Sequence, residues 1–186
     1  MTYTTVENAS TAEYKDKGSK FIAYAFPLSK QDEVKERVAT LRNEHPKACH
    51  FCYAWRLGTD KQLYRANDDG EPSGSAGRPI LGQIDSAGLT DVVIIVVRYY
   101  GGTNLGVPGL IKAYKTSAAD ALCNAIRIEK ETQSTLEIRC DYADLTRKMQ
   151  LIRKYDGKIL AQTYEGNSVL LTVECADSVV KYLSDL

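Results

Sequence analysis

Two glycine-rich stretches hold the residue types best suited to chemistry. The first, NDDGEPSGSAGRP (Asn67–Pro79), places Asp68, Asp69 and Glu71 within four positions, beside Ser73 and Ser75. The second, YYGGTNLGVPGL (Tyr99–Leu110), comes after an apolar run and is preceded by Arg98. Each is expected to feed a helix. A helix N-terminus offers unpaired amides and about half a positive charge, which suits a phosphate or carboxylate. Gly101, Gly102 and Gly106 let the backbone approach such an anion closely. Arg78, Arg98 and Lys112 would add charge. Tyr99 and Tyr100 offer rings on which bases stack, worth roughly 1–3 kcal/mol per base. The same residue types also build ordinary tight turns.

The acidic trio admits a second chemistry. Carboxylates beside Gly and Ser can hold Mg²⁺, with Ser73 or Ser75 as a candidate nucleophile. A serine needs a base, and none is visible nearby. Acids close to a helix N-terminus also meet its dipole favourably. Turn and cap roles are therefore preferred, no catalytic residue is assigned, and no cofactor is expected outside the Mg²⁺ alternative. His50 and Cys52 alternate on a strand-like stretch, so they share a face about 7 Å apart. That is too far for a Cys–His pair, and two residues fall short of a zinc set. They read as groove-lining residues together with Arg56. His45, before Pro46, reads as a cap. Cys123, Cys140 and Cys175 fall on apolar faces and read as core.

These residues need elements to position them. A hairpin is expected over Thr11–Leu28, turning at Gly18. Ser29 and Asp32 have capping-box spacing, and Val34, Val38 and Leu41 follow at helical intervals until Pro46. Strands are expected over Cys49–Leu57 and Gln62–Arg65, then a helix from about Ser75 to Ala87. VVIIVV (Val92–Val97) reads as a buried strand. A long helix follows through Ala125, its inner face marked by Leu110, Ala113, Tyr114, Ser117, Ala118, Ala121 and Leu122. Arg127–Thr135 is polar and aperiodic and is expected to be a boundary. Beyond it, strand, helix, two strands and a helix suggest a βαββα(β) ferredoxin-like plait whose last strand is missing. The expected domains are residues 1–130 and 134–186.

Composition narrows the class. The 186 residues carry 24 basic and 24 acidic side chains, which excludes a polycation but not a local basic surface. Six consecutive apolar residues cannot cross a bilayer, and the first ten residues lack a signal-peptide pattern. Five cysteines in a chain of this size fit reduced thiols and a cytoplasmic setting.

KGSKFIAYAFPL, HFCYAWRL, NDDGEPSGSAGRPIL and VVRYYGGTNLGVPGLIKAY, in that order, resemble the YigZ/IMPACT family of cytoplasmic proteins. The blocks span Lys17–Tyr114, and the C-terminal segment resembles the small second domain of bacterial members. The resemblance implies an α+β protein. Its first domain would be a two-layer α/β fold like RNase PH and the second domain of a small-subunit ribosomal protein. Its second would be ferredoxin-like, similar to the final domain of elongation factor G. His50, Cys52 and Arg56 match the family's strand; Asp68, Asp69, Gly70, Glu71, Pro72, Ser73, Gly74, Ala76 and Gly77 match its acidic loop; Arg98, Tyr99, Gly101, Gly102, Leu105 and Gly109 match its second loop. Asn104 stands where members carry Lys. Lys112 keeps a charge without the bidentate fork of Arg. The expected function is binding of RNA, or of a ribosome- or translation-associated partner, in a groove between the two loops. The alternatives are a Mg²⁺-dependent hydrolase or phosphotransferase and a protein-interaction adaptor. Oligomeric state is left open.

Overall fold

VVIIVV is buried on both sides because it becomes the middle strand of a five-stranded sheet with helices on each face. In the computed structural model, which describes residues 1–184, the chain begins with β1 (Thr2–Val6), β2 (Ser10–Asp16) and β3 (Ser19–Pro27). Next come α1 (Glu33–Glu44), β4 (His50–Leu57), β5 (Leu63–Asn67) and α2 (Gly77–Ser86). β6 (Val92–Tyr99), α3 (Gly106–Cys123) and β7 (Arg127–Glu131) follow. The chain continues through β8 (Gln133–Asp141), α4 (Tyr142–Lys154), β9 (Lys158–Glu165), β10 (Ser168–Ala176) and α5 (Val180–Ser184). Two units are distinguished: Tyr3–Glu129, and Met1–Thr2 with Lys130–Leu186.

In the larger unit the strand order is β2-β3-β6-β4-β5, antiparallel throughout. The period of two divides β6 between two cores. Val92, Ile94 and Val96 pack with Phe21, Cys52 and residues of α2 and α3. Val93, Ile95 and Val97 pack with Phe51, Trp55 and residues of α1. Each such side chain contributes about 1.5–3 kcal/mol relative to an exposed one. The hairpin turns at Lys17–Gly18 as expected. Every expected inner-face residue of α3 is buried.

One local expectation needs correction. Neither Ser29 nor Asp32 caps α1: the helix starts at Glu33, and the Glu33 carboxylate accepts from the Lys30 amide at 3.0 Å. The polar stretch after α3 also contains an unexpected strand: β7 pairs with β1 in a two-stranded sheet. Backbone pairing there needs no apolar alternation, so periodicity could not reveal it.

In the second unit β10 is central, in the order β8-β10-β9, with α4 and α5 contributing to a core around Ile152, Leu171 and Leu183. That order places the third strand between the first and second, as a βαββα plait requires. No strand follows α5 among the described residues. No helix among the described residues is long and apolar enough to cross a membrane.

Candidate functional site

The first glycine-rich loop leaves β5 through a turn in which Asp69 (φ 41°) and Gly70 (φ 88°) adopt left-handed backbone. Its carboxylates do not converge. Asp68 accepts from the amides of Gly74 (2.8 Å), Ala76 (3.0 Å) and Gly77 (2.8 Å) at the start of α2. Partial burial alone would raise the Asp68 carboxyl, but the three amides outweigh it and hold it below the usual carboxylate range. The anion-binding end of α2 is thus filled by the chain itself.

Asp69 turns the other way. Its two oxygens accept from Arg42 at 2.7 and 2.8 Å, and Oδ2 also accepts from the Phe51 amide at 2.7 Å. Its carbonyl accepts from His50 Nδ1 at 2.8 Å, so that ring nitrogen carries the proton. Glu71 turns inward. Among the described residues, no three His, Cys, Asp or Glu side chains are grouped so as to hold a metal ion. The three carboxylates thus engage three separate sets of partners rather than one common point, as the preferred turn and cap reading has it. Ser75 is buried and donates to the Pro72 carbonyl at 2.6 Å, which removes it as a nucleophile. Ser73 is exposed.

Glu71 is the centre of a buried polar cluster. Its side chain is 3% exposed and that of Arg98 7%. Arg98 donates to Glu71 Oε1 at 2.5 Å, and the Tyr114 hydroxyl donates to the same oxygen at 2.7 Å. His50 Nε2 lies 4.0 Å from it. Cys52 Sγ lies 3.3 Å from the Tyr114 oxygen and 3.0 Å from the Asp68 carbonyl. The sheet assembles this set: His50 pairs with Arg98 across β4 and β6, Cys52 follows on the same face, and Tyr114 reaches in from α3. Burial pushes both the Cys52 thiol and the Tyr114 phenol well up, with Glu71 reinforcing both shifts. Both stay protonated near neutrality, so the cluster supplies no thiolate nucleophile.

The groove expected between the loops is therefore occupied. The loops do meet, but Glu71, Arg98 and Tyr114 fill the space, and Arg98 takes Glu71 rather than a phosphate. Arg56 is also reassigned. It lies six residues from His50 along β4, about 20 Å away, where it binds Asp85 and the Lys61 carbonyl. Tyr99 is on the opposite face from Arg98, hydrogen-bonded to His45 Nδ1 at 2.8 Å. His45 Nε2 in turn meets the Tyr24 hydroxyl at 2.8 Å. Alternation along a strand could have separated Arg98 from Tyr99. Nothing local could have revealed Arg42 or the hydroxyl contact of Tyr114.

The second loop remains open. Gly101 lies against the hairpin turn: a Cβ on it would stand 1.9 Å from the Gly18 carbonyl carbon. Exposed Lys17, at the turn, is thereby brought beside the loop. Tyr100 is 48% exposed, with the Arg98 guanidinium 5.7 Å from its ring centre. No described side chain caps the first amides of α3. Gly102 faces open space, and Lys112 is exposed on the second turn of α3. Arg78 is exposed beside the Asp68 turn.

Residues 17–122 match the Impact N-terminal domain. The chain is 36% identical over 172 residues to the IMPACT family member YigZ of Escherichia coli, covering 91% of this chain and 84% of that one. It is 34% identical to an IMPACT family member of Haemophilus influenzae, covering 99% and 90%. A crystal structure of a hypothetical protein matches with a TM-score of 0.87 at 34% identity, covering 99% of this chain and 90% of that one.

Proposed function

The chain belongs to the IMPACT family, and from that premise we propose that it binds single-stranded RNA, in a translation-associated role, through the second glycine-rich loop. The observation that supports this reading is the contrast between two helix N-termini. That of α2 is satisfied by Asp68, whereas that of α3 is uncapped by any described side chain and lies beside exposed Tyr100. Free amides receive phosphate oxygens, Tyr100 stacks on a base, and Lys17 and Lys112 add charge on either side. The buried Glu71–Arg98–Tyr114 cluster holds the base of this loop and does not touch the ligand.

Fluorescence anisotropy with a labelled oligoribonucleotide tests the reading. Log affinity should fall linearly with log salt, by about 0.7 per phosphate neutralised. Tyr100→Ala should weaken binding by roughly 1–3 kcal/mol, and Lys17→Ala should lower the salt slope by about 0.7. No binding at micromolar protein, or binding indifferent to salt and to both substitutions, refutes it. A partner captured equally well after nuclease treatment would favour a protein adaptor instead.

A further inference from the structure

The opposite face of the sheet holds a feature that the RNA reading does not use. There α1 leaves Tyr24 and Phe26 of β3 at the wall of a cavity of about 480 Å³, a size typical of small-molecule sites. The two rings stack, 6.1 Å between centres and 4° between planes. The other wall is one stripe of α1 containing Glu33, Glu36, Arg37, Thr40 and Glu44.

The hydrogen bonds of this lining say what it lacks. The Tyr24 hydroxyl is paired with His45, and the Thr40 hydroxyl donates to the Glu36 carbonyl. Arg37 donates to the Pro27 carbonyl and to Glu33, and its Nε is buried without a partner. Glu33 also accepts from the Lys30 amide. The carboxylates of Glu36 and Glu44 make no hydrogen bond or ion pair with any described residue. Apart from the buried Arg37 Nε, the vacant groups are the carboxylates of Glu36 and Glu44, acceptors with negative charge set beside an aromatic surface. Arg37 shows what such a surface favours: its guanidinium lies 4.7 Å from the Phe26 ring centre.

Glu36 and Glu44 are eight residues apart, about 12 Å along the helix axis. One ammonium group cannot serve both. We propose that this cavity binds a linear aliphatic polyamine, its terminal ammonium groups on Glu36 and Glu44 and its methylenes on Tyr24 and Phe26. Such a ligand brings donors and apolar surface and needs no donor from the protein, which matches the carboxylate acceptors that the lining leaves unfilled. A peptide would also bring backbone carbonyls, for which the charged donor of the lining is Arg37, already engaged by the Pro27 carbonyl and Glu33.

Isothermal titration of the full chain with spermidine tests the proposal, with butylamine, tetralysine and two double variants as further arms. Glu36→Gln with Glu44→Gln removes the two charges at exposed helix positions. Glu7→Gln with Glu129→Gln removes the same charge elsewhere. The expected result is saturable spermidine binding that weakens about tenfold in the first variant and is unchanged in the second. Butylamine should bind far more weakly. Absence of saturable binding at millimolar spermidine, equal loss in both variants, butylamine binding as well as spermidine, or tetralysine binding more tightly each overturns it.

Discussion

Glu71→Gln is the sharpest perturbation of the buried cluster. The substitution keeps shape and removes one charge, leaving Arg98, whose side chain is 7% exposed, without its counter-ion. Removing one partner of a buried pair costs about 3–5 kcal/mol, because the other charge stays behind unpaired. The amide oxygen can still accept from both Arg98 and Tyr114, so the substitution removes the charge rather than the hydrogen bonds. At about 2–4 °C per kcal/mol for a chain of this length, the midpoint should fall by about 6–20 °C. The single tryptophan makes the measurement local, since Trp55 is buried in the same sheet, so urea unfolding followed by its fluorescence reports on this unit. The double variant Glu71→Gln with Arg98→Met should recover most of the loss, because no buried charge remains. A loss below about 1 kcal/mol, or additive single and double effects, would refute a self-neutralised cluster.

The Asp68 carboxyl is held below its unfolded-state value, so it stabilises the fold above that value and loses this contribution as pH falls through the lower folded one. Thermal midpoints should decline roughly between pH 5 and 2, and Asp68→Asn should lower the neutral midpoint while flattening that decline. Titration with a thiol reagent should find two fast groups, the exposed Cys49 and Cys123, the latter at the end of α3 rather than in the core as its apolar neighbours suggest, and three that react only after denaturation, Cys52, Cys140 and Cys175. Gly101→Ala should be the costlier of two neighbouring changes, by about 1–3 kcal/mol or more, because its Cβ would overlap the Gly18 backbone. Gly102→Ala meets nothing within 4 Å and bears only the left-handed strain of its φ of +84°, roughly 1–2 kcal/mol. Urea unfolding of both variants ranks them, and the reverse order would show that the hairpin contact is slack.

Much of the fold follows from local pattern. The hairpin at Gly18, the buried strand Val92–Val97 and the inner face of α3 each depend on residues within about one element, and periodicity reads them directly. Where pairing is between backbones of polar residues, as in β1 and β7, the pattern is silent. The site divides along the same line. That both loops are rich in glycine, that the first carries three acids, and that both precede helices, is written in the residues.

Whether a helix end is vacant or already filled is decided in three dimensions. Glu71 meets Arg98 across 27 positions and Tyr114 across 43, and Cys52 meets Tyr114 across 62. Sequence spacing carries no record of such distances, because the topology of the sheet brings these partners together. The bare amides expected on the first loop are satisfied by its own aspartate, and the arginine expected to hold a guest holds a glutamate of the same chain. Charge and turn chemistry are local properties that composition determines; the vacancy of a site is a sum over every neighbour, and only the folded chain performs that sum.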